Sequence, residues 1–187
     1  MPISPILDKG PCEIVWGYGE SDAAYLGKTL GAVKLGMETA ASDINEDQAG
    51  DAAVDAVLTG SALTLEVPLT RLSVVQLARV LNSVESYLGE PDIIPIANQI
   101  GCSLYSMAKE LVIKPLCGNV ISTDPKTWVR LFKTYPVAGL DLTWDKDTQR
   151  IFPVKFKVFL SQESYQIGLY GTFGMESGAS GLGWPLP

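Results

Sequence analysis

Two carboxylate clusters, one glycine pair and three cysteines are the places where this sequence could do chemistry. Asp43-Ile44-Asn45-Glu46-Asp47, followed by Asp51 and Asp55, opens like a calcium-binding loop. Such a loop needs a glycine at its sixth position for the sharp turn and a bidentate glutamate at its twelfth; here those positions are Gln48 and Val54. The run therefore reads as a solvated acidic loop. Gly17-Tyr18-Gly19 begins like a nucleotide-binding fingerprint, but Asp22 stands where the third glycine belongs and no helix clearly opens there. Asp145 and Asp147 fall in a turn signal, where aspartate is favoured by side-chain bonds to its own backbone. Cys12, Cys102 and Cys117 contain no Cys-x-x-Cys pair, and no basic residue directly adjoins any of them, so buried, reduced thiols are expected.

The chain contains no histidine. Ser-His-Asp and Cys-His nucleophilic systems, histidine metal sites and histidine pH switches are excluded together. The formal charge is −7, against the clustered lysine and arginine that duplex DNA binding requires. The expectation is a protein that is not an enzyme and carries no cofactor and no metal. With 47% apolar residues in 187, the chain is long enough for one domain with a sizeable core. Met1-Pro2-Ile3-Ser4-Pro5 lacks the basic and apolar regions of a signal peptide, and no apolar run reaches the roughly 18 residues of a membrane span. Synthesis in the cytoplasm without membrane insertion is expected.

The elements that position these residues are mostly strands. Residues 1–27 are punctuated by Pro2, Pro5, Gly10, Pro11, Gly17, Gly19 and Gly27, and read as an irregular N-terminal arm. The domain is expected over 28–160. Leu30 to Met37 reads as a strand, with Val33, Leu35 and Met37 on one face. A polar loop is expected over 38–51, and β character resumes at Val54 to Leu58. Thr59-Gly60-Ser61 suggests a turn before Leu63 to Leu69, which alternates strictly. Pro68 lacks an N–H and places the end or one side of that strand at a sheet edge.

One helix is expected over about 73–88. Ser73 serves as its N-cap, Val74, Leu77, Ala78, Leu81, Val84 and Leu88 form its apolar stripe, and Gly89 is its stop. Met107 to Leu116 and Thr127 to Tyr135 are further strands. A hairpin runs from Val137 to Leu160, turning at Asp145 to Gln149. Phe152, Val154, Phe156, Val158 and Leu160 share one face of its return arm, opposite Lys155 and Lys157. Residues 161–187 read as a C-terminal arm. The fold class is mainly β: an antiparallel β-sandwich or barrel with one flanking α-helix and extended N- and C-terminal arms. Of the aromatics, Trp128 and Trp144 are expected in the core. Trp16, Tyr18, Tyr165, Tyr170, Phe173 and Trp184 are expected on the arms, as candidates for contact between subunits; for the last four, burial must come from docking onto the domain or onto a neighbour.

Several strings together resemble bacteriophage major tail tube proteins of the long-tailed, siphophage-like kind. They are Leu26 to Leu35, Asp47-Gln48-Ala49-Gly50, Val54 to Gly60, Leu63 to Leu69, Tyr135 to Leu142, and Arg150 through Leu160. The resemblance spans roughly residues 12–165 and rests on the order and spacing of strands and turns. It implies a subunit of hexameric rings stacked into the tail tube through which the genome passes. By that resemblance the loop containing Asp43, Asn45, Glu46, Asp47, Gln48 and Asp51 contacts the adjacent ring, and the arms bridge subunits. The implied partners are further copies of the chain, tape-measure, tail-terminator and tail-tip proteins, and viral DNA in transit without sequence-specific binding. The implied location is the virion tail, assembled in the host bacterial cytoplasm. The acidic balance would keep a lumen from gripping DNA. The competing expectation is a monomeric ligand- or carbohydrate-binding β-sandwich, which leaves the acidic loop and both arms without a role.

Overall fold

The computed structural model describes residues 10–20, 23–45, 53–70, 73–80, 101–117, 120–137, 151–164 and 166–174. Within them the chain order is β1 (Cys12–Trp16), β2 (Ala24–Tyr25), β3 (Lys28–Thr29), β4 (Lys34–Asn45), β5 (Ala53–Thr70), α1 (Val74–Val80), β6 (Lys109–Cys117), β7 (Val120–Ile121), a single 3₁₀ turn (Pro125–Thr127), β8 (Val129–Val137), β9 (Phe152–Phe159) and β10 (Gly171–Phe173). The protein is mainly β and its strand pairs are antiparallel.

The strands run side by side in the order β2-β1-β6-β8-β9-β5-β3, with β4 added to β5, β10 to β8 and β7 to β6. The two ends of that path are joined by the chain itself: only Leu26 and Gly27 separate β2, on one edge, from β3, on the other. The sheet must therefore curl until its edges nearly meet, a barrel-like closure that hides edge groups. Leu26 is fully buried at the seam and its N–H donates to the Ile14 carbonyl at 3.0 Å. Inside the curl, Ile14, Trp16, Leu65, Val67, Leu69, Leu111, Leu131, Val154, Phe156 and Val158 make one continuous core. Period-two alternation produces this face: Val154, Phe156 and Val158 are buried while Lys155 and Lys157 between them are exposed.

Helix α1 begins with a capping box. Gln76 N donates to Ser73 Oγ at 3.2 Å, and Ser73 N donates to Gln76 Oε1 at 2.9 Å. The Gln76 amide also donates to the Tyr25 carbonyl at 2.9 Å, and Val80 enters the core, so the helix is tied to the seam. Its expected continuation over 81–88 lies outside the described residues.

Four expectations are corrected. Residues 12–16 are not part of an irregular arm: β1 pairs with β6 from Cys12↔Pro115 to Trp16↔Leu111, because Ile14, Val15 and Trp16 are apolar enough to be buried. Residues 38–45 are not loop but the second half of β4, because their main chain pairs with β5 as far as Asn45↔Ala53. Thr59-Gly60-Ser61 is not a turn. Gly60 does not take the left-handed conformation, and β5 passes straight through on a register shift beside Ala40, where the Thr59 hydroxyl donates to the Ala40 carbonyl at 3.1 Å.

Pro68 is not on an edge: β5 has β9 on one flank and β4 and β3 on the other. Its carbonyl accepts from Leu30 N at 3.0 Å, so its missing N–H points to that same flank. There the neighbouring strand is interrupted between Thr29 and Lys34, and Gly31, at φ +107°, lies against the proline ring. The expected first hairpin arm, with Leu140, Leu142 and Trp144, and its turn lie outside the described residues; at the described end β8 and β9 pair antiparallel as far as Val137↔Lys155, and β9 has β5 on its other flank.

β10 docks where only glycine fits. A Cβ at Gly171 would run into the carbonyl oxygen of Arg130 and come within 3.0 Å of the Leu131 Cα. Gly171→Ala is expected to lift β10 from β8 and cost about 1–3 kcal/mol. Amide exchange at Phe132, whose N–H donates to the Tyr170 carbonyl at 3.0 Å, should accelerate in the variant. Unchanged protection there would mean that β10 does not hold this edge.

Candidate functional site

The most unusual surface is a two-stranded ribbon. β9 covers β5 only from Leu63 to Leu69, whereas β4 accompanies β5 back to Ala53. Residues 39–45 and 53–60 therefore leave the barrel as a two-stranded ribbon, without a third strand among the described residues, projecting roughly 20 Å at about 3.3 Å per residue. Register assigns its faces. Ser42, Ile44, Asp55 and Val57 lie on one, and Ala41, Asp43, Ala56 and Leu58 on the other. Both faces are open: Leu58 is 62% exposed, Val54 and Val57 are about half exposed, and Ile44 is 44% exposed. A lone two-stranded ribbon is marginal in water, and exposed aliphatics on both faces mark a surface made for contact. Its edges are also unguarded, since no lysine, arginine or proline occurs between Lys34 and Pro68 to discourage strand addition.

A second surface is the outer face of β6, β8 and β9, where cations rest on aromatic rings. The Lys114 ammonium lies 4.4 Å from the centroid of Trp128 and 5.1 Å from that of Tyr18, and these two rings meet edge to face at 6.0 Å. Arg130 stacks 5.3 Å from Phe132, Lys133 5.9 Å from Tyr105 and Lys157 5.7 Å from Phe159. Lys155 pairs across the strands with Glu66 at 2.8 Å, and Lys133 with Glu163 at 3.6 Å. Lys114 and Lys157 have no carboxylate partner among the described residues. Beside this face runs a groove of about 620 Å³, walled by Tyr105, Val137, Phe159 and Leu160, with Lys155 and Lys157 along it.

Arg130 forms a fork with Glu110, Nε to Oε1 and Nη2 to Oε2, both at 2.7 Å. Burial nevertheless pushes the Glu110 carboxyl above the ordinary glutamate range, outweighing the hydrogen bond and charge of Arg130. The folded chain thus keeps this proton at pH values where the unfolded chain has released it. Its contribution to stability is full below the ordinary glutamate value and falls as pH rises through the raised one. Glu66 behaves oppositely: the hydrogen bond and charge of Lys155 hold it below the ordinary range, so its contribution is lost as pH falls through the lowered value. Carboxyl titration by NMR should show Glu110 above Glu66, and Arg130→Met should raise Glu110 further. A Glu110 that titrates below the ordinary value would refute burial as the dominant cause.

The expected contact residues are only partly brought together. Asp43 is exposed on the ribbon, and Asn45 ends β4 on the same ribbon. Glu46, Asp47, Gln48, Asp51, Tyr165 and Trp184 lie outside the described residues. Trp16 is corrected from arm to core: it is 4% exposed, and its indole N–H donates to the Thr134 carbonyl at 3.2 Å. Tyr18 is half-buried against Lys114 and Trp128, and Trp128, expected in the core, is itself only half-buried in this outer cluster. Tyr170 is likewise turned inward, packed against the core with its hydroxyl donating to the Ser61 carbonyl at 2.6 Å. Phe173, 68% exposed on β10, is open to a neighbour.

The ribbon was hidden in the sequence by the Thr59-Gly60-Ser61 turn signal. The cation–aromatic face had one legible trace, the Lys155/Lys157/Phe159 alternation. Cys12 and Cys102 are free thiols; Cys102 is exposed, against the expectation of burial, while partial burial raises the pKa of the Cys12 thiol and suppresses its reactivity. Among the described residues no three histidine, cysteine or carboxylate side chains gather to hold a metal ion, and no helix is long and apolar enough to cross a membrane. Comparison with protein-family models and with curated proteins returned no match.

Proposed function

We propose that this chain is a structural subunit that polymerises with itself, forming stacked, hexameric rings that make the tail tube of a long-tailed bacteriophage. The observation that carries this reading is the ribbon, a projection with aliphatic side chains on both faces and with edges open to strand addition. A monomer gains nothing from such a projection. A repeating assembly covers it in every copy. The order of strands and turns quoted above supports the phage assignment, as does a fold that places a closed, barrel-like domain behind the ribbon.

On this reading the chain does no chemistry and needs no cofactor. It belongs to the virion tail, is assembled in the host cytoplasm, meets tape-measure, terminator and tip proteins at the ends of the tube, and lets DNA pass without reading its sequence. Negative-stain electron microscopy of the purified full chain over a concentration series, with light scattering, tests it. Rings or tubes with a central channel are the expected result. A monodisperse monomer at every concentration, including after addition of preformed tail tips, would refute it. Saturable binding of a small ligand in the groove would then favour the monomeric binding module.

A further inference from the structure

Charge along this chain is sharply divided. From Leu35 to Thr70 there is no lysine or arginine, while Glu38, Asp43, Glu46, Asp47, Asp51, Asp55 and Glu66 all fall there. The strands that follow carry Lys114, Arg130, Lys133, Lys155 and Lys157, on or beside the outer sheet face. Arg130, Lys133 and Lys155 are paired with Glu110, Glu163 and Glu66, whereas Lys114 and Lys157 have no carboxylate partner among the described residues. The subunit thus has an acidic, aliphatic projection and, beside an apolar groove, a face with lysines open to a carboxylate.

The two surfaces match in chemistry. Each ribbon face pairs branched aliphatics with a carboxylate: Ile44 and Val57 with Asp55 on one, Leu58 with Asp43 on the other. The groove offers apolar walls from Tyr105, Val137, Phe159 and Leu160 and cations from Lys155 and Lys157. Lys157 has no carboxylate partner among the described residues and is open to an incoming carboxylate. Lys155 is paired with Glu66 at 2.8 Å, but its side chain is 67% exposed, so an incoming carboxylate can share it.

The occupant cannot be the same copy's ribbon. Ser61, Ala62, Leu63 and Thr64 are at once the root of the ribbon and a wall of the groove, and β5 runs straight away from it. Folding back would tear the β4–β5 ladder.

We propose that the acidic ribbon of one copy seats in the Lys155/Lys157 groove of a neighbouring copy. Such a contact joins two different patches, so it is heterologous and repeats without limit or closes into a ring. It rests on the assembly reading above and names the surface and the chemistry of that contact. Complementary charge orients the approach, and the aliphatic side chains supply the affinity.

Charge reversal tests it in the full chain. Lys155→Glu with Lys157→Glu makes a face variant, and Asp43→Lys with Asp55→Lys makes a ribbon variant. All four positions are exposed, so both variants should fold, as their near-ultraviolet circular dichroism and melting will report. Each alone is expected to lose at least about tenfold in polymer mass by sedimentation. An equimolar mixture is expected to polymerise, because each variant's ribbon then meets a face of opposite sign. Should a reversed variant fold poorly, Asp43→Asn with Asp55→Asn should still weaken assembly and flatten its dependence on salt, which screens the contact as the Debye length falls from about 10 Å to 3 Å between 0.1 and 1 M. Wild-type tubes with unaffected variants, or variants that stay apart when mixed, would overturn this pairing and leave the tube reading standing. No polymer from the wild-type chain would overturn both.

Discussion

Phe156→Ala is expected to destabilise the folded chain by about 3–5 kcal/mol. Phe156 lies in the middle of β9, opposite Leu65 of β5 and Pro136 of β8, so three strands meet at its position. Its ring is 1% exposed and tilts 56° against Trp16 of β1, with centroids 6.4 Å apart, which carries its contacts across the curled sheet. Removing it forfeits the transfer free energy of a whole aromatic side chain and leaves a cavity that a closed sheet cannot collapse into. Set against a typical net stability of about 5–15 kcal/mol, the variant should unfold at a much lower urea midpoint with an unchanged slope. Trp16 fluorescence offers a local probe. Lys155→Ala, one residue away on the wet face, should change stability by less than about 0.5 kcal/mol. A loss under about 1 kcal/mol for Phe156→Ala would mean that the two sides of the curl do not pack on this ring.

The second large effect falls on assembly and spares folding. Val57→Thr combined with Leu58→Thr keeps strand propensity and removes aliphatic surface from both ribbon faces. In the free subunit these side chains are already half exposed or more, so melting should be almost unchanged. In an assembly that covers them, the lost burial is about 3 kcal/mol per contact, at roughly 1.5–3 kcal/mol for each fully buried side chain. The critical concentration for polymer formation should rise roughly a hundredfold, since each 1.4 kcal/mol is a factor of ten. Sedimentation across a dilution series reads it. An unchanged critical concentration would show that the ribbon stays wet in the assembled state and would remove the observation on which the proposed function stands.

Much of the β character was legible because it depends only on local alternation. Leu63 to Leu69 and Phe152 to Phe159 show period two, and a strand whose alternate residues are apolar can bury only one face, whichever strands come to flank it. The Ser73–Gln76 capping box was half visible for a similar reason, since it joins residues three apart. Trp16 belongs to the core and not to an arm, and of the two dockings open to Tyr170 it takes the one onto its own domain. Their flanking glycines and polar residues look irregular, and what buries them is β6 beside one and β5 beside the other, both distant in the chain. The ribbon was missed because a glycine between two strand signals resembles a turn, although an extended strand passes through it when its partner stays paired.

The amino acids alone therefore determined that this protein is a mainly β domain without histidine chemistry, acidic overall, with its cations confined to particular stretches. Composition and short-range periodicity are properties of the chain, whatever its partners in space. Tertiary structure alone decided that the sheet closes through Leu26 and Gly27, that the acidic stretch stands out as a ribbon, and that lysines from separate strands line one face. Those outcomes depend on register between strands tens of residues apart, and a shift of one residue in any ladder would send every side chain to the opposite face.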